Sequence, residues 1–588
     1  MYFRLFVSFL FPFTLLILPF QTHALTIDLN DSERYQVMDG FGASQPNWLK
    51  SPYDSLRFQK FLAEDLGVTV IRVELHPDII TSSNSCDGNP TFFEEDITAN
   101  ASKMFPEHSR TKLGWSFAKA IYNLNPKEIK VMTSIWTPPH WMKEGAVMGT
   151  HFNSYGGRLP DSDSSRTQYA RYIVAAVKAL EEFYGFPLYA LSLQNELAWS
   201  HAEATSTTSC QYLSTQDNGN PGYNTYVAML KRLKQEMVST GKDEFLLMGP
   251  EHGTIGMNDY WTTWQQMKHV KDIYSDPEAL SILGIWAHHQ YGLNPTPNAD
   301  GRKYNRAVWD GLNDPVQPAL RWKGYKEFNK PVWMTEVGKA DHSWGGAMTL
   351  ANMIQDGIVA GNLSAYLEWV FCSGDANDIH SIAKNSGDFH THKTYAFKHF
   401  SKFIRPGAVR IGAGPDDPNG VTVSAFLHEQ NRTVTVVLIN NGSSAQNVTV
   451  SVPAWLNIPA FSGFQSTSEK QWDQFTSLQT GGVVTVDLPP SSITTLYSTF
   501  PTSALPGCFG ELSDNRYQKL TVQSTRSGIL LTSREQFSSA GIELYNQKGR
   551  LVGNLNIGLN RGIRLAGGLY LLRITDGGKA FCQLVRVN

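Results

Sequence analysis

PLYALSLQNE (187–196) and KPVWMTEVG (330–338) are the stretches whose reading decides the fold. Each is a near-continuous apolar run that carries a glutamate, Glu196 or Glu336, at its far end. Alternating apolar and polar residues would mark a sheet with one wet face. A continuous apolar run marks a strand buried on both faces, as parallel sheets require. A carboxylate at the carboxyl end of such a strand is poorly solvated and rigidly held. Two of them brought together by a closed sheet form a matched acid and nucleophile for cleaving an acetal.

Working outward, six more runs have the same character. They are QVMDGFG (36–42), VTVIRVEL (68–75), IKVMTSIW (129–136), EFLLMGPE (244–251), SILGIWAHHQYG (281–292) and SAYLEWVF (364–371). Helical patterns separate them, such as RTQYARYIVAAVKALEEFYG (166–185) and TYVAMLKRLKQEMVSTG (225–241). Eight strands interleaved with helices predict an α/β fold, a (β/α)8 TIM barrel over 37–400. The competing layout, a doubly wound open sheet, calls for a phosphate-binding glycine turn, and GFGAS (40–44) lacks the G-x-G-x-x-G spacing. From 401 to 500 the pattern becomes short alternating runs split by Asn, Gly and Ser, the signature of a β-sandwich. PTSALPG (501–507) reads as a linker, and 508–588 as a small C-terminal all-β domain.

The 588 residues exceed what one core organises, so several domains are expected. A net charge of -3 gives no basic surplus for nucleic acid. Arg4, the apolar stretch 5–20 and Thr22-His23-Ala24 form a signal-peptide pattern over 1–24, with cleavage near Ala24 and a secreted or cell-surface location. No later run is suited to spanning a membrane. Among five cysteines, Cys508 with Cys582 and Cys86 with Cys210 are the candidate pairs, leaving Cys372 as a buried thiol.

Barrel chemistry sits at the carboxyl ends of the strands. Asn195 and Glu196 end strand four, Glu336 ends strand seven, and Trp136 ends strand three. His289 and Tyr291 end strand six, Trp369 lies near the end of strand eight, and Arg72 lies within strand two. One glutamate must donate a proton to the leaving oxygen and the other must stay ionised to attack the anomeric carbon. Tyr291 is expected to hydrogen-bond the attacking carboxylate, Arg72 to keep it ionised, and Asn195 to bind a sugar hydroxyl. Glu74, Glu251 and Glu368 are rival carboxylates at other strand ends, structural or substrate-contacting. His288-His289 has no accompanying cluster at metal-ligand spacing, so no metal and no cofactor is expected. G-x-S-x-G is absent, which removes the serine-hydrolase reading.

DGFG (39–42), IRVEL (71–75), SIWTPPHWMK (134–143), LSLQNE (191–196), HQYG (289–292), WMTEV (333–337) and FKHFSKFIRPGAVRIG (397–412) together resemble glycoside hydrolase family 30. The resemblance covers roughly 25–500. It implies a retaining, cofactor-free glycosidase with Glu196 as acid/base and Glu336 as nucleophile, and carboxyls about 5–5.5 Å apart. It implies that Arg72, Asn195, Trp136 and Tyr291 surround the reacting sugar; His289 and Trp369 join them as substrate-binding candidates. It also implies that 25–36 supplies a strand to the side sandwich. The substrate is then a β-linked plant polysaccharide, foremost xylan or glucuronoxylan with endo-β-1,4-xylanase action; β-1,6-galactan, β-1,6-glucan and exo action stay open. Members that grip glucuronate do so with an Arg and a Tyr after strand eight, whereas VFCSGDANDIHSIAKNSGDFHTHK (370–393) contains no Arg. A non-catalytic carbohydrate-binding surface protein and a transglycosylase are the other readings. GIELYNQKGRLVG (541–553) and LAGGLYLLRITDGGKAFCQLVRV (565–587) resemble type IX secretion sorting domains, which implies secretion machinery as a partner of a monomeric chain; a sugar-binding module is the alternative.

Overall fold

The structure is a computed structural model. It describes residues 25–80, 91–149, 153–197, 208–214, 225–253, 269–291, 306, 330–373 and 379–501, apart from single or paired residues at 386, 388, 418–419 and 481, and seven strands beyond 520. The signal-peptide pattern (1–24), most of the linker, Cys86, Cys508 and the insertion 293–318 apart from Arg306 lie outside the described residues.

Eight parallel strands form the barrel: β1 (Gly40–Ser44), β2 (Val70–Glu74), β3 (Lys130–Ser134), β4 (Ala190–Ser192), β5 (Leu246–His252), β6 (Leu283–His289), β7 (Val332–Glu336) and β8 (Ala365–Ser373). Each pairs with its neighbours in this order, and β8 pairs with both β7 and β1, closing the ring. The TIM-barrel expectation therefore holds. Helices Asp163–Tyr184 and Tyr226–Ser239 fill the two stretches with helical periodicity. Gly185 ends the first in the left-handed conformation, at φ 67°.

The period of two along a strand sorts the interior into layers. Val70, Met132, Ala190, Met248, Ile285, Ala287, Trp333, Ala365 and Leu367 pack together inside the ring. Two residues further along β2, β3 and β6, on the same face, stand Arg72, Ser134 and His289. The barrel is thus apolar below and polar at its carboxyl end. Gly42 makes this possible at the β1–β2 seam, because a Cβ there would sit 1.7 Å from the Val70 carbonyl oxygen.

The first strand run divides in two. Leu25–Val37 belongs to the second sheet, pairing with Val409–Gly414 and Gln446–Ser451, while β1 begins only at Gly40. Met38 and Asp39 make the crossing, with Met38 N–H donating to Ala408 O at 2.8 Å and Asp39 N–H to Ser364 O at 2.6 Å. Nine strands between Leu25 and Thr499 close this second sheet on itself around its own apolar core, including Ile27, Val436, Val450 and Leu496. The FKHFSKFIRPG segment (397–407) binds it to the barrel. Arg405 Nη1 donates to Gly67 O at 2.6 Å, and the buried His399 ring meets Thr495 and Ser466 hydroxyls at 2.9 Å each. Beyond 520 come seven short strands, in a three-stranded and a four-stranded antiparallel sheet. Among the described residues no helix is long and apolar enough to cross a membrane.

The Cys86–Cys210 pairing is overturned. Cys210 is a free, fully buried thiol, which burial pushes up to about 11 despite the nearby Lys143 charge. Cys372 is buried as well.

Candidate active site

Arg72 is the hub of the barrel mouth and is fully buried. Nη1 donates to Glu336 Oε2 at 2.7 Å and to Ser44 Oγ at 3.2 Å. Nη2 donates to Asn195 Oδ1 at 2.6 Å and lies 3.0 Å from Glu251 Oε1; Nε donates to Ser134 Oγ at 3.0 Å. The Trp136 and Trp369 rings lie 4.6 and 5.7 Å from its guanidinium carbon. A planar, five-donor cation suits this position, because no other side chain spans so many acceptors at once.

Glu336 reaches the centre through a local irregularity. Alternation along β7 would leave it on the face opposite Trp333, but the pairing with β6 shifts register between Met334 and Glu336. Tyr291 Oη donates to its Oε1 at 3.0 Å. Glu196 and Glu251 sit at φ 46° and 55°, a region that residues with a Cβ seldom adopt. Such strain gathers where side chains must be aimed rather than merely accommodated. The backbone holds both in place, Glu196 N–H donating to Glu251 O at 3.0 Å. One carboxylate oxygen of Glu196, one of Glu336 and a ring nitrogen of His289 all lie within 4.8 Å of one another.

The structure thus gathers Glu196, Glu336, Asn195, Arg72, His289 and Tyr291, with Trp136 and Trp369 above them. His289, expected among the substrate-binding residues, has a fully buried side chain. Its Nδ1 meets Glu196 Oε1 at 3.0 Å, and Nε2 lies 3.7 Å from Glu251 and 3.8 Å from Glu336. Its ring thus lies among three carboxylates. Glu251, a rival carboxylate in the sequence, proves to be the buried counter-ion of Arg72 and His289. Ser44 and Ser134, outside the expected site, also stand on the inner face and accept from Arg72. Glu368 is paired with Lys393 at 2.9 Å, both buried.

Burial alone would push Glu251 up, but Arg72 and His289 bring it down to about 2. Burial likewise opposes the charged His289 ring, yet Glu336, Glu196 and Glu251 raise it to about 9. Glu336 is raised above 4.5 by burial, with the Glu196 charge adding to the rise and His289 and Arg72 opposing it. Two cations therefore face three carboxyls. The Glu196–His289–Glu336 cluster has the donor types of a metal site, but the charged ring and the adjoining guanidinium repel a cation.

His289 gives a stability prediction. Its folded value lies above the unfolded 6.5, so the stabilisation is complete below about pH 6.5 and is lost as pH rises through about 9. Thermal unfolding should fall across that window, and His289→Gln should flatten the fall. An unchanged slope in the variant would contradict the pairing.

A cavity of about 240 Å³ opens beside Arg72, walled by Trp48, Trp136 and Trp369 and floored by Asn47 and Glu74. Trp48 and Trp369 have ring centroids 6.3 Å apart, Trp136 and Trp369 5.9 Å. Lys143 braces the loops around it. Its buried ammonium donates to Thr137 Oγ1 at 2.6 Å and to the carbonyls of Gly156 and Ser209 at 2.6 and 2.7 Å. No local pattern signals this role, since one acceptor, Ser209, lies 66 residues from Lys143.

Residues 407–496 match the family model described as the glycosyl hydrolase family 30 beta sandwich domain. The glucuronoxylanase XynC of Bacillus subtilis (strain 168) is 27% identical over 333 residues, 54% of this chain and 61% of the relative. The chain thus spans about three fifths of that relative's length. The endo-1,6-beta-D-glucanase neg1 of Aspergillus fumigatus is 26% identical over 469 residues, covering 73% of this chain and 84% of the relative. The fold matches a family 30 endoxylanase from Clostridium papyrosolvens C71, with TM-score 0.55, 23% identity, and coverage of 81% of this chain and all of that one. A closed parallel barrel joined to this sandwich, with two glutamates ending its fourth and seventh strand regions, is the arrangement that a resemblance to glycoside hydrolase family 30 implies.

Proposed function

We propose that the chain is a retaining glycoside hydrolase of β-linked plant polysaccharide, acting on xylan. One observation carries the reading: carboxylate oxygens of Glu196 and Glu336 approach within 4.8 Å. Inverting enzymes hold their carboxyls about 6.5–9.5 Å apart to admit a water, and retaining ones about 5–5.5 Å. Glu336 takes donors from Arg72 and Tyr291 and has an 8% exposed side chain; Glu196 is 22% exposed and takes neither donor. The donor-rich glutamate is held as the anion that attacks the anomeric carbon. The more open one protonates the leaving oxygen and then activates the incoming water. Asn195 gives its carbonyl to Arg72, which leaves its NH2 to donate to a sugar hydroxyl.

Xylan is favoured by the B. subtilis relative and by the aromatic cavity. A β-1,6-glucan is the second reading, favoured by the A. fumigatus relative and by the absence of Arg from 370–393. Incubation with xylan, glucuronoxylan, β-1,6-galactan and β-1,6-glucan, with product sizing and proton NMR of the first anomer released, tests both. Xylo-oligosaccharides released with retained configuration are expected. An inverted first product would remove the nucleophile assignment, and products from the 1,6-linked glucan alone would select the second reading.

A further inference from the structure

The two-glutamate chemistry leaves Glu74 unused, although it lines the cavity at the end of β2. Glu74 is held from two sides. Asn47 donates its amide to Oε2, and Arg110 Nη1 holds the Asn47 carbonyl at 3.2 Å. Trp115 Nε1 fixes the Glu74 backbone carbonyl at 3.2 Å. Its other carboxylate oxygen, Oε1, accepts no hydrogen bond from the described residues. His76, Asp78, Arg110 and Arg72 are the charged groups around it, and His76 is itself tied to Asp78 and Asn153. Across the cavity stands Trp48, 58% exposed, leaning on Trp369. At about 240 Å³ the space is below the roughly 300–1,000 Å³ of pockets for larger ligands, which suits a single sugar unit.

A carboxylate is an acceptor only, and Glu74, half-buried at the cavity wall, has room for a donor from the cavity side. A sugar hydroxyl supplies that donor. A second carboxylate in so small a space supplies repulsion instead. We propose that Glu74 is a specificity-determining residue: Oε1 accepts a hydroxyl hydrogen from a neutral sugar unit seated against Trp48 and Trp369, and the charge disfavours a uronate there. This rests on the glycosidase reading and deepens it by naming a neutral unit at this position.

The test compares the full chain with Glu74→Gln on xylotetraose, on xylotetraose bearing a glucuronate, and on a β-1,6-linked glucose tetramer. The wild type should favour a neutral tetramer. Glu74→Gln should lower its kcat/KM by about 10–100-fold, the span of a charge-assisted hydrogen bond, while the ratio of acidic to neutral substrate rises about tenfold or more. An unchanged ratio in a variant with wild-type thermal stability, or a wild type that prefers the glucuronate-bearing tetramer, overturns the proposal. Calorimetric binding of the same tetramers separates the two readings. Glu74-dependent binding of a neutral tetramer without turnover leaves this inference standing and removes the glycosidase. Turnover without Glu74 dependence does the reverse. Neither binding nor turnover removes both.

Discussion

Glu336→Ala is expected to lower turnover by about 10⁵-fold or more while leaving the fold intact, a loss in the range seen when a covalent nucleophile is deleted. Glu336 sits under the barrel mouth with Oε2 on Arg72 and Oε1 on Tyr291, so both oxygens are oriented before any sugar arrives. Removing it deletes the bond-forming atom and leaves Arg72 with Glu251 as its remaining ion-pair partner. The gap also admits a small anion. Added azide should therefore restore part of the turnover and give a glycosyl azide of inverted configuration. In Glu196→Ala, azide should instead give a product of retained configuration, because the covalent intermediate still forms. Identical products from both variants would show that the roles are misassigned. Since burial raises Glu336 above the ordinary carboxylate value of 4.5, the acidic limb of kcat/KM should also lie above the usual glutamate range. A limb below pH 4 would contradict the placement.

Arg72→Met is the second large effect, expected in stability and activity together. The substitution roughly preserves stem volume and removes the cation. Glu251, fully buried, would keep His289 as its nearest charged partner, and Glu336 would lose its shortest ion pair. Breaking a buried pair by removing one member costs about 3–5 kcal/mol, because the survivor stays desolvated. The cost should depend on pH with a definite sign. Glu251 is depressed to about 2 in the folded chain, so its contribution is present above about 4.5 and fades as pH falls through 2. Arg72→Met should therefore lower the urea midpoint strongly at pH 7 and progressively less toward acid, where protonated carboxyls need no cation. An equal shift at pH 7 and pH 3 would mean that the loss is one of packing alone. Turnover should fall as well, since Asn195 and Glu336 share the same guanidinium.

Much of this was legible along the chain. The eight apolar runs correspond to the eight barrel strands, because a strand buried on both faces must be apolar on both, and that requirement is local. The placement of Arg72 two residues beyond Val70, and of His289 two beyond Ala287, follows from strand periodicity in the same way. Carboxylates at the ends of such runs are costly, which marked Glu196 and Glu336 together with Glu74, Glu251 and Glu368, and the family resemblance singled out the first two. The boundary near Val37 was less legible, since Leu25–Val37 and Gly40–Ser44 follow one another with only Met38 and Asp39 between, and only their partners differ.

What the sequence determined by itself was the order of strands and helices and the residue types at the rim. Periodicity and burial act on neighbouring residues, so they leave a trace in one dimension. What only the tertiary structure decided was which of those residues meet. The register shift before Glu336, the left-handed turns at Glu196 and Glu251, the burial of His289 and the joining of Glu251 to Arg72 all depend on strands far apart in the chain. Arg72 and Glu336, 264 residues apart, become neighbours when the ring closes through β8. Electrostatics between them then sets which carboxyl holds a proton and which holds its charge, and no local pattern encodes that.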